Sequence, residues 1–181
     1  MNHKKLLILD LDETLIHGAS KKLDYEPACI SPWCFLYKRP YVDEFMAFCK
    51  ENFKVAIWTT ASLEHAEMAL AQVCESDYPF EFIWTSDRCT QARDRIGMCD
   101  YGSGYHWVKD LKKVKRKGYC LNQTIMIDDT PSMLERQYGN LVRIKRFRGD
   151  SSDCELQYLM LYLLELKDAD NIRKVEKRCW R

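Results

Sequence analysis

The amino-acid sequence predicts an α/β fold in which a mostly parallel sheet carries helices on both faces. Four short apolar runs have the length of buried strands, and segments with helical period lie between them. Such an alternation is typical of parallel sheets whose strands are joined by helices. With 181 residues, the chain is long enough for one such domain and its core.

The four predicted strands each end where polar residues begin. They cover residues 5–9, 54–58, 82–84 and 124–127. In an open, Rossmann-like sheet, ligands bind beyond the carboxyl ends of the strands. Three of the strands are followed by polar pairs: Asp10 and Asp12, Thr59 and Thr60, and Asp128 and Asp129. We therefore expect these three loops to meet at one rim of the sheet.

Three amphipathic helices are predicted between and after the strands. The first follows Pro40, which suits a first helical turn, and has Val42, Phe45, Met46 and Cys49 on one face. The second begins after Ser62, a residue suited to an N-cap. The third has a broad leucine stripe over residues 156–164, which predicts packing against the core.

Two segments do not fit the alternation of strands and helices. Residues 28–38 are predicted to form a small β-hairpin inserted after the first strand, with Pro32 in its turn. Residues 86–105, rich in Arg and Gly, are predicted to form a long loop. We expect one domain over residues 1–166, and a charged tail over residues 167–181 that frays.

Composition excludes several classes of protein. The formal net charge of +1 gives no global excess that would attract nucleic acid or an anionic membrane. The apolar run near the start is too short for a secretory signal or a membrane span. Nine cysteines without C-x-x-C spacing favour reduced thiols. We expect an intracellular monomer without a membrane partner, in the cytoplasm or, in a eukaryote, the nucleus.

Paired carboxylates at the predicted rim indicate metal-assisted chemistry. Asp10 and Asp12 suit either a divalent cation or a nucleophile and its partner acid, and their mutual repulsion requires a cation nearby. With Asp128 and Asp129 they offer the oxygen ligands that Mg²⁺ prefers, and no histidine or cysteine is needed, which argues against zinc. Spacing alone leaves Lys109 as one of several lysines that could neutralise a phosphate.

Five motifs give a more specific resemblance. DLDET matches the D-x-D-x-T signature of haloacid dehalogenase-superfamily phosphatases, and KRPYVDEF, IWTTAS, YHWVKDL and IMIDDTP follow in order. Together they resemble the carboxy-terminal-domain (CTD) phosphatases of RNA polymerase II, a family that includes the small CTD phosphatases and the NLI-interacting-factor-like proteins. The resemblance spans roughly residues 4–148. It implies a haloacid dehalogenase-like fold without a large cap domain.

The resemblance also implies roles for the motif aspartates. Asp10 would be the nucleophile that forms an aspartyl-phosphate, and Asp12 the acid that protonates the leaving oxygen and then the base that activates water. Thr14 would fix the turn after the nucleophile. Mg²⁺ would be held by Asp10, by the backbone carbonyl of Asp12 and by Asp128. Asp129 occupies a position that is often Asn in the family, so its role as a ligand stays open.

Four further positions lie in motifs that the resemblance connects with phosphate binding. Thr59 would hydrogen-bond the phosphoryl oxygens and Lys109 would neutralise them. IWTTAS has one residue more than the common x-T-A-S form, which leaves Thr60 as an alternative to Thr59, although the strand count favours Thr59. Arg39 of the K-R-P motif would either bind near the phosphate or pair with a surface carboxylate. His65 and His106 have no role in this mechanism.

The implied activity is Mg²⁺-dependent hydrolysis of phosphoserine or phosphothreonine in a protein or peptide. Only about two dozen residues separate the first motif from the first helix, so we expect a rim open to an extended peptide. A nucleotide, a nucleic-acid end or a small metabolite is the alternative substrate, because Arg88, Arg93, Arg95, Tyr101, Tyr105 and Trp107 could bind a base and its phosphate. A catalytically silent phosphopeptide scaffold is disfavoured, since the motif aspartates are retained.

Overall fold

The computed structural model describes residues 4–93 and 104–181. In these residues the strands are, in chain order, β1 (Leu6–Leu9), β2 (Ile16–Ala19), β3 (Cys29–Ile30), β4 (Phe35–Lys38), β5 (Lys54–Trp58), β6 (Phe80–Trp84), β7 (Thr90–Arg93), β8 (Tyr105–Val108), β9 (Thr124–Asp128) and β10 (Leu141–Arg143). The α-helices are α1 (Val42–Asn52), α2 (Leu63–Val73), α3 (Lys112–Arg116) and α4 (Glu155–Lys167). All four predicted strands and all three predicted helices are present.

The central sheet has five parallel strands in the order β10, β9, β1, β5, β6. Leu9, the last residue of the central strand, lies opposite both Ile57 of β5 and Ile127 of β9. The residues that follow these three strands therefore leave the sheet at the same edge. This arrangement confirms the mostly parallel α/β fold.

The two faces of the sheet are covered by different helices. Leu7 and Leu9 of β1 point into a core formed with α1, α2 and α4, whereas Leu6 and Ile8 point into a second core. The second core is closed by α3 and by a short 3₁₀ turn over Pro131–Leu134. Because successive strand side chains alternate between faces, fully apolar strands imply this double covering.

The first two helices follow the predicted pattern closely. Val42, Phe45, Met46 and Cys49 of α1 are all buried. Burial of such side chains contributes about 1.5–3 kcal/mol for each large one. The Ser62 hydroxyl accepts a hydrogen bond from the backbone N–H of His65 at 3.3 Å and caps α2 as predicted.

The insertion after β1 is a three-stranded antiparallel sheet in the order β2, β4, β3. The predicted hairpin corresponds to β3 and β4, with Pro32 in the turn between them. Ser31 stabilises this turn, because its hydroxyl accepts a hydrogen bond from the N–H of Cys34 at 3.0 Å. Sequence reasoning missed β2, which pairs with β4 and joins the insertion to the first motif.

The long loop predicted for residues 86–105 is wrong at both of its ends. Strand β7 pairs with β8 in an antiparallel register that places Thr90 opposite Val108 and Arg93 opposite Tyr105. Residues 94–103, which include Arg95 and Tyr101 of the alternative nucleotide site, lie outside the described residues.

Strand β10 was also missed, because three residues carry too little periodicity to predict a strand.

The residues after α4 pack against the domain instead of fraying. Ile172 is fully buried in the larger core, and the Trp180 indole N–H donates a hydrogen bond to the Arg143 carbonyl at 2.8 Å. Arg181 forms an ion pair with buried Glu155. The charges of this segment predicted fraying, but the sequence does not show the contacts that its few apolar residues make with the domain.

Helix α4, of 13 residues, is the longest helix of the described chain. No helix over residues 4–93 and 104–181 is long and apolar enough to cross a membrane. The eight cysteines within these ranges form no disulfide.

Candidate active site

The site is organised around a buried lysine between two aspartates. The ammonium of Lys109 donates to Asp10 Oδ1 at 2.7 Å and to Asp128 Oδ2 at 2.8 Å. Asp10 follows β1, Asp128 ends β9, and Lys109 follows β8, so three separate segments supply the trio. Their exposed fractions are 6%, 1% and 1%, which means that little water screens the three charges.

The carboxylates form a cluster suited to a metal ion. One carboxylate oxygen from each of Asp10, Asp128 and Asp129 lies within 4.8 Å of the other two. Lys109 balances only part of their negative charge, and a buried excess of negative charge stabilises a bound cation. Asp129, whose ligand role the sequence left open, belongs to the cluster. Oxygen donors alone fit a hard cation such as Mg²⁺.

Burial and the neighbouring charges shift the pKa values of all three side chains. Burial, with the nearby charges of Asp128 and Asp12, raises the pKa of Asp10 to about 8 against the opposing effect of Lys109. Burial likewise raises the pKa of Asp128. Burial alone would lower the pKa of Lys109, but the two carboxylates outweigh this effect and raise it. Without a metal, the trio therefore favours a charged lysine and a proton on a carboxylate.

Asp12 lies at the edge of the site with both side-chain oxygens in hydrogen bonds. Its Oδ2 accepts from the Thr59 hydroxyl at 3.2 Å, and its Oδ1 lies 2.7 Å from Nε2 of His65. Thr59 is fully buried, and its hydroxyl also accepts from the Ala61 N–H at 3.0 Å. Thr60, the alternative to Thr59, is exposed. Thr59 therefore lies at the Asp12 carboxylate, and its role as a phosphate ligand stays a prediction.

His65 is the residue that sequence reasoning missed. It lies in the first turn of α2, and the parallel sheet brings this turn to the same edge as β1. Its hydrogen bond to Asp12 raises the pKa of His65, although burial opposes the shift. The only local signal was its place three residues after the N-cap Ser62, in the first turn of α2.

The turn after Asp10 is held in a fixed conformation. Glu13 has a φ of 61°, a left-handed conformation that is costly for a residue with a Cβ. The Glu13 N–H donates to the Ile16 carbonyl at 2.7 Å, and the Thr14 hydroxyl donates to Asp10 Oδ2 at 3.3 Å. Backbone strain of this kind persists where surrounding contacts enforce it, and it concentrates at functional sites. Thr14 therefore contacts the Asp10 carboxylate, and its turn-fixing role stays a prediction.

The structure contradicts the substrate-binding role predicted for Arg39. Its guanidinium is buried, and its Nε and Nη2 donate to both carboxylate oxygens of Asp153 at 2.9 and 3.0 Å. Two more N–H groups donate to the carbonyls of Thr14 and Lys145 at 3.0 and 2.8 Å. Asp153 is itself buried, so the alternative of a surface carboxylate is also wrong. Arg39 supports the loops around the site and does not face it.

Replacing His65 with alanine is expected to lower kcat about tenfold, a small part of the 10²- to 10⁴-fold that general acid-base catalysis contributes. The reason is that Asp12 loses one of its two hydrogen bonds. We expect KM to change little. Because the His65 pKa is raised above 6.5, the wild-type pH profile should contain an ionisation above that pH which the variant lacks. Steady-state kinetics on an aryl phosphate across pH measures both effects.

His106→Ala is the matched control for this prediction. His106 pairs with Glu135 at 3.0 Å, whereas the Asp12 carboxylate is hydrogen-bonded by Thr59 and His65. Its removal should leave kcat within about twofold, the usual range for a surface change. Equal losses in the two variants would show that His65 acts only through the general stability of the domain.

The fold is that of the haloacid dehalogenase-like enzymes. The structure of a haloacid dehalogenase-like hydrolase from Xanthomonas campestris has a TM-score of 0.56 at 13% identity, over 92% of this chain and 97% of that one. The structure of Fcp1, an essential RNA polymerase II CTD phosphatase, has a TM-score of 0.58 at 17% identity, over 94% of this chain and 52% of that one. At these identities the likeness shows the fold alone.

Sequence comparison then gives the particular family. A sequence model of the NLI interacting factor-like phosphatases matches residues 5–173, and the chain belongs to this family. CTD small phosphatase-like protein 1 of Caenorhabditis elegans is 30% identical over 179 residues, which are 94% of this chain and 33% of that protein. The chain spans 33% to 47% of the length of three curated relatives. The family suggested by the five motifs is confirmed.

Proposed function

We propose that the chain is a Mg²⁺-dependent phosphomonoester hydrolase that works through an aspartyl-phosphate on Asp10, with phosphoserine or phosphothreonine of a protein as its substrate. The observation that carries this proposal is the geometry of Asp10, held by Lys109 at 2.7 Å and lying beside an independently hydrogen-bonded Asp12. Two carboxylates in different surroundings suit two different roles.

In the first step, a carboxylate oxygen of Asp10 attacks phosphorus, an O–P bond forms, and the bond from phosphorus to the leaving oxygen breaks. Asp12 gives its proton to the leaving oxygen, so the product departs as an alcohol. The Lys109 ammonium stabilises negative charge on the phosphoryl oxygens, where burial strengthens its effect. Thr14 holds the second oxygen of Asp10 and keeps the carboxylate oriented.

In the second step, water attacks the phosphorus of the aspartyl-phosphate and loses its proton to Asp12. The bond between phosphorus and Asp10 breaks, which releases inorganic phosphate and restores both carboxyl groups to their starting states. Asp10, Asp128 and Asp129 would hold Mg²⁺, as the 4.8 Å cluster supports, with the Asp12 carbonyl as a further ligand. When bound, the ion neutralises charge on the phosphate and on the carboxylates.

The small size of the insertion supports a protein substrate. Among the described residues, the insertion between β1 and α1 is a small three-stranded sheet, far short of a domain that could enclose a small molecule. Trp33 and Ile30 of this insertion are 59% and 67% exposed and offer apolar contacts to an extended peptide. The names of relatives, which include small CTD phosphatases, agree with this substrate class.

The test is a comparison of kcat/KM on phosphoserine peptides, phosphothreonine peptides and nucleoside monophosphates, each with Mg²⁺ and with EDTA. We expect metal-dependent release of phosphate with a preference for peptides. A preference for nucleotides by orders of magnitude would support the alternative substrate, for which exposed Trp107 and the cation-π contact of Arg88 with Trp84 at 5.3 Å are the remaining arguments. No turnover, together with peptide binding, would indicate a scaffold.

A further inference from the structure

Residues 143–148, R-I-K-R-F-R, form a basic segment that the proposed chemistry does not use. Ile144 and Phe147 are buried at 2% and 0% exposure and fix the segment to the core. The four basic side chains, Arg143, Lys145, Arg146 and Arg148, are exposed. The alternation thus concentrates positive charge on one surface of a chain whose net charge is only +1.

The backbone of the basic segment is tied directly to the active site. Three hydrogen bonds make the ties: Ile144 N–H to the Asp128 carbonyl at 3.3 Å, Phe147 N–H to the Glu13 carbonyl at 2.7 Å, and Arg39 Nη2 to the Lys145 carbonyl at 2.8 Å. The acceptors Asp128 and Glu13 belong to the motifs IMIDDTP and DLDET. The basic side chains therefore project from a backbone held in place, which lowers the entropy cost of binding a ligand.

The basic segment lines a cavity of about 530 Å³ together with residues of the C-terminal segment. Six basic side chains and two acidic ones line it. Three of the six basic side chains already have an acidic partner. Arg146 pairs with Asp129, Arg181 pairs with Glu155, and Arg178 pairs with Glu176, which does not line the cavity. Within residues 4–93 and 104–181, the side chains of Arg143, Lys145 and Arg148 have no carboxylate at ion-pair distance. The cavity thus has positive charge that an anion would neutralise.

The cavity shares a wall with the metal cluster. Asp129 lines the cavity and also contributes an oxygen to the carboxylate cluster. The Arg146 guanidinium donates a hydrogen bond to the Asp129 carboxylate at 2.5 Å. An anionic group in the cavity therefore lies next to a phosphate bound at Asp10. A single extended substrate with two negative groups can occupy both the site at Asp10 and the cavity. A substrate with one phosphate and no other charge occupies only one of them.

We propose that this cavity is a second anion site that binds a phosphorylated or acidic residue of the peptide whose phosphate reacts at Asp10. The inference rests on the proposed function and narrows its substrate class to phosphopeptides with a neighbouring negative charge. Because Asp129 belongs both to the cavity lining and to the carboxylate cluster, the second charge belongs to a residue near the reacting one along an extended peptide. Arginine is suited to this task, since its guanidinium binds phosphate through two N–H groups.

The experiment measures binding of fluorescent peptides to the 181-residue chain with Asp10→Asn and Mg²⁺, so that no peptide is consumed. Each peptide has one phosphoserine and, at a position varied over both sides, a second phosphoserine, a glutamate or a serine. The variant R143Q/K145Q/R148Q is compared with K112Q/K115Q/R116Q, which removes three exposed charges of the α3 surface outside the cavity. Circular dichroism confirms that both are folded.

We expect the second phosphoserine to tighten Kd about tenfold at one preferred position, the factor that one hydrogen bond to a charged group supplies. Glutamate should give a smaller gain. The R143Q/K145Q/R148Q change should bring the Kd ratio of the two peptides to about one, and K112Q/K115Q/R116Q should preserve it. The gain should also shrink as salt is added.

Equal affinity of the unmodified cavity for all peptides overturns the inference, and so does loss of the ratio in both triple variants. Vesicles of phosphatidylcholine with or without phosphatidylserine give the competing outcome. Binding to phosphatidylserine that depends on Arg143, Lys145 and Arg148, without a peptide preference, would assign the cavity to a membrane surface. Peptide hydrolysis by the wild-type chain is measured separately, so failure of the proposed function remains distinct from failure of this inference.

Discussion

Asp10→Asn is expected to abolish turnover and, at the same time, to raise the melting temperature of the metal-free chain. Loss of the nucleophile should lower kcat by roughly 10⁴-fold or more. At pH 7 the buried carboxyl retains a proton that a solvated aspartate releases, and a shift from 3.8 to about 8 makes this cost roughly 4 kcal/mol. An amide has no such proton to retain.

The expected gain in stability for Asp10→Asn is about 2 kcal/mol or more, which corresponds to a rise in Tm of about 4–8 °C for a domain of this size. The raised pKa of Asp10 means that the folded state binds more protons than the unfolded state between pH 3.8 and about 8. Wild-type stability in EDTA should therefore fall as pH rises through this window, and the variant should fall less steeply. Calorimetric melts across pH measure the difference.

Asp43→Asn is the control for Asp10→Asn, since Asp43 is an exposed residue in the first turn of α1 that pairs with Lys38. It should change Tm little. Added Mg²⁺ should raise the Tm of the wild type more than that of Asp10→Asn, because the ion binds the folded cluster. A lower Tm for Asp10→Asn than for wild type in EDTA would contradict the idea that the buried charge is destabilising.

Lys109→Met is expected to have the opposite effect on stability. It leaves Asp10 and Asp128 buried without the ammonium that now lies within 2.8 Å of both. Removing one partner from a buried ion pair costs about 3–5 kcal/mol, because the remaining charge is uncompensated. The Tm in EDTA should fall by about 6–20 °C, and turnover should be lost with the positive charge at the phosphate.

A second substitution tests the cause of the Lys109→Met effect. Adding Asp128→Asn removes one of the two unpaired carboxylates, so the double variant should regain much of the lost stability without regaining activity. Lys115→Met, which removes an exposed lysine, should leave both properties unchanged. If the double variant melts no higher than Lys109→Met alone, lost packing of the lysine side chain and not unpaired charge explains the instability.

The sequence by itself predicted four strands of the central sheet, three of the helices and the candidate site residues of this protein. Strand and helix positions follow from apolar runs and helical period, which are local properties of the chain. Asp10 and Thr59 follow strands, and Asp128 ends the strand beside them, so the rule on parallel sheets was enough to bring the three residues together. Five ordered motifs then gave the family, and the metal cluster added Asp129 where the sequence left a choice.

Only the tertiary structure decided the partners of side chains that are distant in sequence. Arg39 and Asp153 are 114 residues apart, and His65 and Asp12 are 53 apart. Hydrogen bonds of this kind depend on where a fold places each chain segment, and residue type alone gives a histidine or an arginine many alternatives. For the same reason, the position of the R-I-K-R-F-R segment beside the active site could be seen only in the tertiary structure.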